Sequence, residues 1–152
     1  IPKLAAAGLE VITAEARTLQ ARCAILLHEP DRALVLLQDV LEMILHPGGE
    51  TLYFQAEVLR VRGQALEEMG RLDEAGAVFQ SAIDQARSQK SKWWELRAAT
   101  SLARLWQKQA RRRDALELLA PVHGWFIEGH SSKDLCEAAA LLAELGQSSS
   151  AA

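Results

Sequence analysis

Leu59-x-x-Arg62-Gly63-x-x-Leu66 is followed, across Gly70-Arg71-Leu72-Asp73-Glu74, by Ala75-x-x-x-Phe79-x-x-Ala82. Small and apolar residues recur here at intervals of three and four, the period of one helix face. Gly63 and Ala75 stand twelve positions apart, one on each side of the turn. Two small side chains so placed let the backbones of antiparallel helices approach closely, while Leu66 and Phe79 fill the space beside them. Gly70 stops the first helix. Asp73 and Glu74 fall in the first turn of the second, where acids suit the positive helix end. The stretch reads as a helical hairpin.

The same frame occurs twice more. Ala21 precedes His28-Glu29-Pro30-Asp31-Arg32-Ala33 by the same twelve-residue offset, with Leu37 four further on. Ala103 precedes Ala110-Arg111-Arg112-Arg113-Asp114-Ala115 likewise, with Leu119 four further on. The anchors Ala33, Ala75 and Ala115 lie 42 and 40 residues apart. The composition agrees with a helical chain: 26 Ala and 24 Leu against 17 Val, Ile and Thr together, and β-branched residues lose more side-chain freedom in helices. No stretch alternates apolar and polar residues long enough to read as a strand.

Breakers divide the 152 residues into seven expected helices. The first spans Leu9 to Leu27, and the second, capped by Asp31, ends at Leu45 before His46-Pro47-Gly48-Gly49. The third spans Glu50 to Met69 and the fourth Leu72 to Ser88. After a polar linker, Gln89 to Lys92, the fifth spans Trp93 to Gln109 and the sixth Arg112 to Phe126. Ser131, with Asp134 three residues on, forms a capping-box pattern ahead of the last, which ends near Leu145-Gly146. Short loops between long helices make neighbours antiparallel. The expectation is an all-α right-handed solenoid with repeats at 9–46, 50–88 and 93–127 and a capping helix at 131–145. These make one domain over 1–146, followed by a disordered polar tail, 147–152.

The hairpin pattern resembles the tetratricopeptide repeat: bulky residue, Leu-Gly-like pair, aromatic, then Ala-x-x-x-Phe. A narrower resemblance lies in Trp94-Glu-Leu-Arg-Ala-Ala-Thr-Ser-Leu-Ala-Arg-Leu-Trp106, and in Leu118-Leu-Ala-Pro-Val-His-Gly-Trp-Phe-Ile-Glu-Gly129 with Asp134-Leu135. These look like the C-terminal tetratricopeptide region of large bacterial signalling ATPases, many of which carry class III adenylate/guanylate cyclase domains. The resemblance is good from Glu50 to Leu145 and looser before. His123 and His130 stand where the family has aromatics. It implies a non-catalytic, protein-binding regulatory module in the cytoplasm, whose partner is another protein or the parent chain's own ATPase or cyclase domain. No G-x-x-x-x-G-K-[ST] loop occurs, so no ATPase activity is implied.

In such a fold the solvent-facing positions of the first helices line a concave groove. These are Arg22, then Arg60 and Gln64, then Arg97, Arg104 and Lys108, with Arg22, Gln64 and Arg104 at equivalent repeat positions. A row of donors suits a carboxylate-bearing peptide. The plainer reading is solvated charge paired along each helix, such as Glu57 with Arg60. Trp93 and Trp94 are adjacent and point to different faces, so one of them is the aromatic contact candidate. With Arg97 they also suit a second function, effector sensing of a small molecule, as in solenoids of ATP-dependent transcription activators. Trp106 and Trp125 read as core.

Other chemistry is sparse. His28, His46, His123 and His130 lack the spacing of a metal site, and Cys23 and Cys136 read as small core residues. No nucleophile elbow or triad is visible. No cofactor, metal or enzymatic activity is expected. Net charge is −3, which argues against nucleic acid, although 92–130 carries +3. No run approaches the roughly 18 apolar residues of a membrane span. The first residue is Ile1, which fits a fragment, and an end repeat so exposed, at Leu4, Leu9 and Ile12, invites self-association.

Overall fold

The computed structural model describes residues 2–45 and 53–147, with side chains from residue 9 onward. The described residues form seven α-helices and no strand: α1 (Pro2–Leu26), α2 (Pro30–Leu45), α3 (Gln55–Glu68), α4 (Leu72–Ser88), α5 (Lys92–Lys108), α6 (Arg112–Gly124) and α7 (Lys133–Gln147). The fold is all-α.

One turn is used four times. A residue at positive φ ends the helix: His28 (58°), Gly70 (74°), Lys90 (54°) and Ala110 (61°). In each turn its N–H donates to the carbonyl three residues back and the next N–H to the carbonyl five back. Thus Gly70 donates to Glu67 at 2.9 Å and Arg71 to Leu66 at 2.9 Å, the double bond pattern that satisfies a helix C-terminus. That next residue, Glu29, Arg71, Ser91 or Arg111, then opens the following helix by accepting from Ala33, Ala75, Glu95 or Ala115. The three Ala anchors therefore occupy one equivalent place.

Several expected boundaries shift for local reasons. Pro30 is the first residue of α2, where its missing N–H costs nothing. Asp31 thus lies inside the first turn and does not cap the helix. The linker expected at Gln89 to Lys92 is the same tight turn as the others. α3 begins at Gln55, after a turn at Tyr53 and Phe54. α6 stops at Gly124, so Trp125 and Phe126 lie beyond it. α7 opens on the Ser132 carbonyl, which accepts from Cys136 at 3.0 Å, so Ser132 and not Ser131 immediately precedes the helix. The expected break from His46 to Gly49, the helix start from Glu50 to Leu52 and the tail at 148–152 lie outside the described residues, as does the Leu4 side chain. Gln147 is helical.

The odd-numbered helices form one row, α1 against α3, α3 against α5 and α5 against α7. Each even-numbered helix packs on its two chain neighbours, and among the described residues no two even-numbered helices touch. The apolar stripes close two cores. One gathers Ala21, Ala33, Leu37 and Val58; the other gathers Phe79, Leu102, Ala103, Leu119 and Leu141. Leu34 and Leu59 pack against both. All six hairpin anchors are buried. Gly63 lies beneath Phe79: a Cβ there would stand 2.5 Å from ring atom Cε1.

Three core assignments are corrected. Cys23 and Cys136 are exposed. Cys23 falls on the side of α1 opposite Ala21 and Ala24, and the Cys136 thiol donates to the His130 carbonyl at 3.2 Å. Trp125 is 57% exposed, because the helix that was to carry it inward ends one residue earlier.

Candidate functional site: an arginine-lined cleft

The odd-numbered helices border a cleft of about 220 Å³ to which α1, α3, α5 and α7 all contribute. Helical periodicity puts its residues on common faces: Arg60 and Gln64 on α3; Arg97, Ser101 and Arg104 on α5; Asp134 and Glu137 on α7. Arg22 enters from α1 and Lys133 from α7.

Beneath the cleft lies a buried ion cluster. Glu57 is 6% exposed. It accepts two bonds from the Arg60 guanidinium, Nε to Oε2 at 2.7 Å and Nη2 to Oε1 at 2.8 Å. Arg97 Nη2 reaches the same carboxylate at 3.0 Å. Arg60 Nη1 also donates to Ser101 Oγ at 3.4 Å. Arg97 Nε faces Asp134 at 3.8 Å, and Arg104 Nη2 contacts Glu137 at 3.1 Å. Burial pushes the Arg97 guanidinium below its ordinary range, and Arg60 and Arg22 add to this against the opposing pull of Glu57 and Asp134. Arginine stays charged under such pressure, so the cleft holds concentrated positive charge.

Five of the six groove residues, Arg22, Arg60, Gln64, Arg97 and Arg104, meet in this cleft. Arg60 is not solvent-facing, as its solenoid position implied. It is 7% exposed, drawn inward by Glu57 in the i, i+3 pair that the plainer reading allowed. Lys108 does not join the cleft. Its ammonium contacts Glu67 at 2.6 Å, and it borders a separate recess with Gln107 and Glu144. Arg22 is exposed and makes no ion pair among the described residues. Sequence reasoning missed Ser101, Lys133, Asp134 and Glu137, since nothing local to α7 signals that its first turns border α5.

The two adjacent tryptophans part company. Arg97 lies over the Trp94 ring at 5.4 Å. Trp93 is 38% exposed and meets Phe126 edge-on at 5.9 Å between ring centres, away from the cleft. His28 contacts Glu68 at 2.6 Å, the rings of His123 and His130 lie 6.0 Å apart, and His46 is outside the described residues. Among the described residues no three His, Cys, Asp or Glu are grouped to hold a metal ion, and no helix is long and apolar enough to cross a membrane.

In comparisons with known proteins, no family model, no curated protein and no solved structure matches the chain.

Proposed function

We propose that this chain is a tetratricopeptide-like α-solenoid that acts as a non-catalytic, cytoplasmic scaffold and holds an acidic protein segment in the arginine-lined cleft. It serves as the regulatory module of a larger bacterial signalling ATPase or cyclase, and the segment belongs to a partner or to the parent's own domains. The reading of the parent rests on the residues of 94–106 and 118–129.

One observation carries the binding role. Five cationic side chains from four helices, Arg22, Arg60, Arg97, Arg104 and Lys133, surround the cleft, against the carboxylates of Glu57, Asp134 and Glu137. The excess of positive charge sits in a recess, where a carboxylate gains more than on open surface. The recess of about 220 Å³ is smaller than the roughly 300–1,000 Å³ that encloses a whole metabolite. It suits carboxylate side chains of an extended peptide lying across it. The effector-sensing alternative has the Arg97–Trp94 contact in its favour, whereas Trp93 faces elsewhere.

Fluorescence anisotropy with a labelled hexaglutamate peptide tests the reading. Binding is expected at low salt and should weaken as salt screens the exposed guanidiniums. Arg22→Ala with Arg104→Ala, both exposed positions, should reduce affinity about tenfold, the equivalent of ~1.4 kcal/mol. No saturable binding by the unmodified chain, or unchanged affinity in the double variant, overturns the proposal.

A further inference from the structure

Helix α1 carries its apolar side chains in an unusual distribution. Its inner face is small, with Ala14, Ala21 and Ala24 buried. Its outer face presents Leu9, Ile12, Leu19 and Leu26, which are 66%, 64%, 56% and 80% exposed. Ala16 and Cys23, also exposed, complete a line at 9, 12, 16, 19, 23 and 26. The spacing alternates three and four, the seam of a coiled coil. A helix apolar on both faces belongs between two layers, yet among the described residues only α2 and α3 touch α1.

The charges beside the seam select the occupant. On one flank stand Glu15 and Arg22, seven residues apart, and on the other Thr13, Gln20 and Leu27. In a parallel pair Glu15 would meet Gln20 and Arg22 would meet Leu27, with no charge matched. In an antiparallel pair with Leu9 opposite Leu26, Ile12 opposite Cys23 and Ala16 opposite Leu19, Glu15 of each copy meets Arg22 of the other. Sliding that pairing by a heptad in either direction sets Glu15 against Glu15 or Arg22 against Arg22. The Tyr53 hydroxyl donates to the Glu15 carboxylate, and Arg22 has no ion-pair partner among the described residues.

We propose that a second copy of this chain packs antiparallel along α1 in that register, making a two-fold dimer sealed by two Glu15–Arg22 pairs. A two-fold interface needs one self-complementary patch, and this seam supplies it. Arg22 also borders the cleft, so the dimer places the partner's Glu15 at the cleft's edge. Leu26, at the seam's end, borders the cleft with Arg22, whereas Leu19 at its centre does not, so Leu19→Glu breaks the dimer and leaves the cleft residues intact.

Sedimentation velocity of the full chain from about 1 to 100 μM, a range suited to an interface of modest area, should show monomer passing into dimer. Leu19→Glu, at an exposed position, should remain monomeric throughout with unchanged far-ultraviolet circular dichroism. Register is read by disulfide trapping in a Cys136→Ser background. Ile12→Cys should form a covalent dimer with native Cys23 on oxidation, whereas Cys136→Ser alone should not, because Cys23 lies about 16 Å along the axis from its copy. A monomer at every concentration, a persistent dimer in Leu19→Glu, or cross-linking through Cys23 alone overturns the proposal.

Discussion

Gly63 has room for a hydrogen and little else. A Cβ would stand 2.5 and 2.6 Å from two atoms of the Phe79 ring, and that ring is fully buried. Gly63→Ala must displace it, at a cost of about 2 kcal/mol by the scale of overpacked cores, read as a lower urea midpoint. At Ala110 the strain runs the other way. Its φ of 61° is a region that side chains resist and glycine tolerates. Ala110→Gly should raise stability by roughly 0.5–1 kcal/mol; a loss would show that the strain is relieved elsewhere. Glu95 offers a pH test. Its carboxylate is buried, which opposes ionisation, but bonds from Lys92 and Arg87 at 2.7 and 2.8 Å outweigh that and hold its pKa below the usual value. A depressed carboxyl pKa adds stability above the unfolded-state value, near 4.3, and loses it as pH falls through the folded-state value. Glu95→Gln should therefore cost about 1 kcal/mol at pH 7, and its deficit should shrink as pH falls from the unfolded-state value through the folded-state one. A deficit that persists in acid would assign the cost to packing.

Among the elements, α5 and α1 are opposites. α5 is touched by α3, α4, α6 and α7, and its residues from Ala98 to Ala103 are buried without interruption. Among the described residues α1 is held only by α2 and α3, and it buries small side chains. Opening free energies follow burial, so amide hydrogen exchange should be slowest in α5 and fastest in α1. Equal protection of the two at low concentration would contradict this; protection of α1 that grows with concentration is what the antiparallel pair requires. The four turns explain why the helices were legible. Gly70 announces its turn, and Pro30 marks another. The turn at Lys90 has no such signal and read as a loose linker, because lysine at positive φ is imposed by the helices on either side.

At the scale of the molecule, the two cores share Leu34 and Leu59, so neither half closes its apolar surface alone. Thermal unfolding followed by tryptophan fluorescence should coincide with that followed by far-ultraviolet circular dichroism. All four tryptophans lie between residues 93 and 125, whereas helical signal comes from the whole chain. Separated transitions would mean that the first hairpin melts independently. The cleft is also a property of this scale, since it requires four helices to be in register.

The chain's own order of residues determined the seven helices, the hairpin turns and the buried small anchors, because helix period and turn geometry act within a few residues. It also placed Arg22, Gln64, Arg97 and Arg104 on one side of the row. Tertiary packing decided which of those charges face water. Glu57, paired with Arg60 on its own helix, also reaches Arg97, forty positions away, and Ser101 of α5 meets Arg60. α7 brings Asp134 and Glu137 to the arginines of α5, and Glu67 diverts Lys108. Such pairings depend on distances between helices, which the packed cores set, and an isolated helix carries no record of its neighbour.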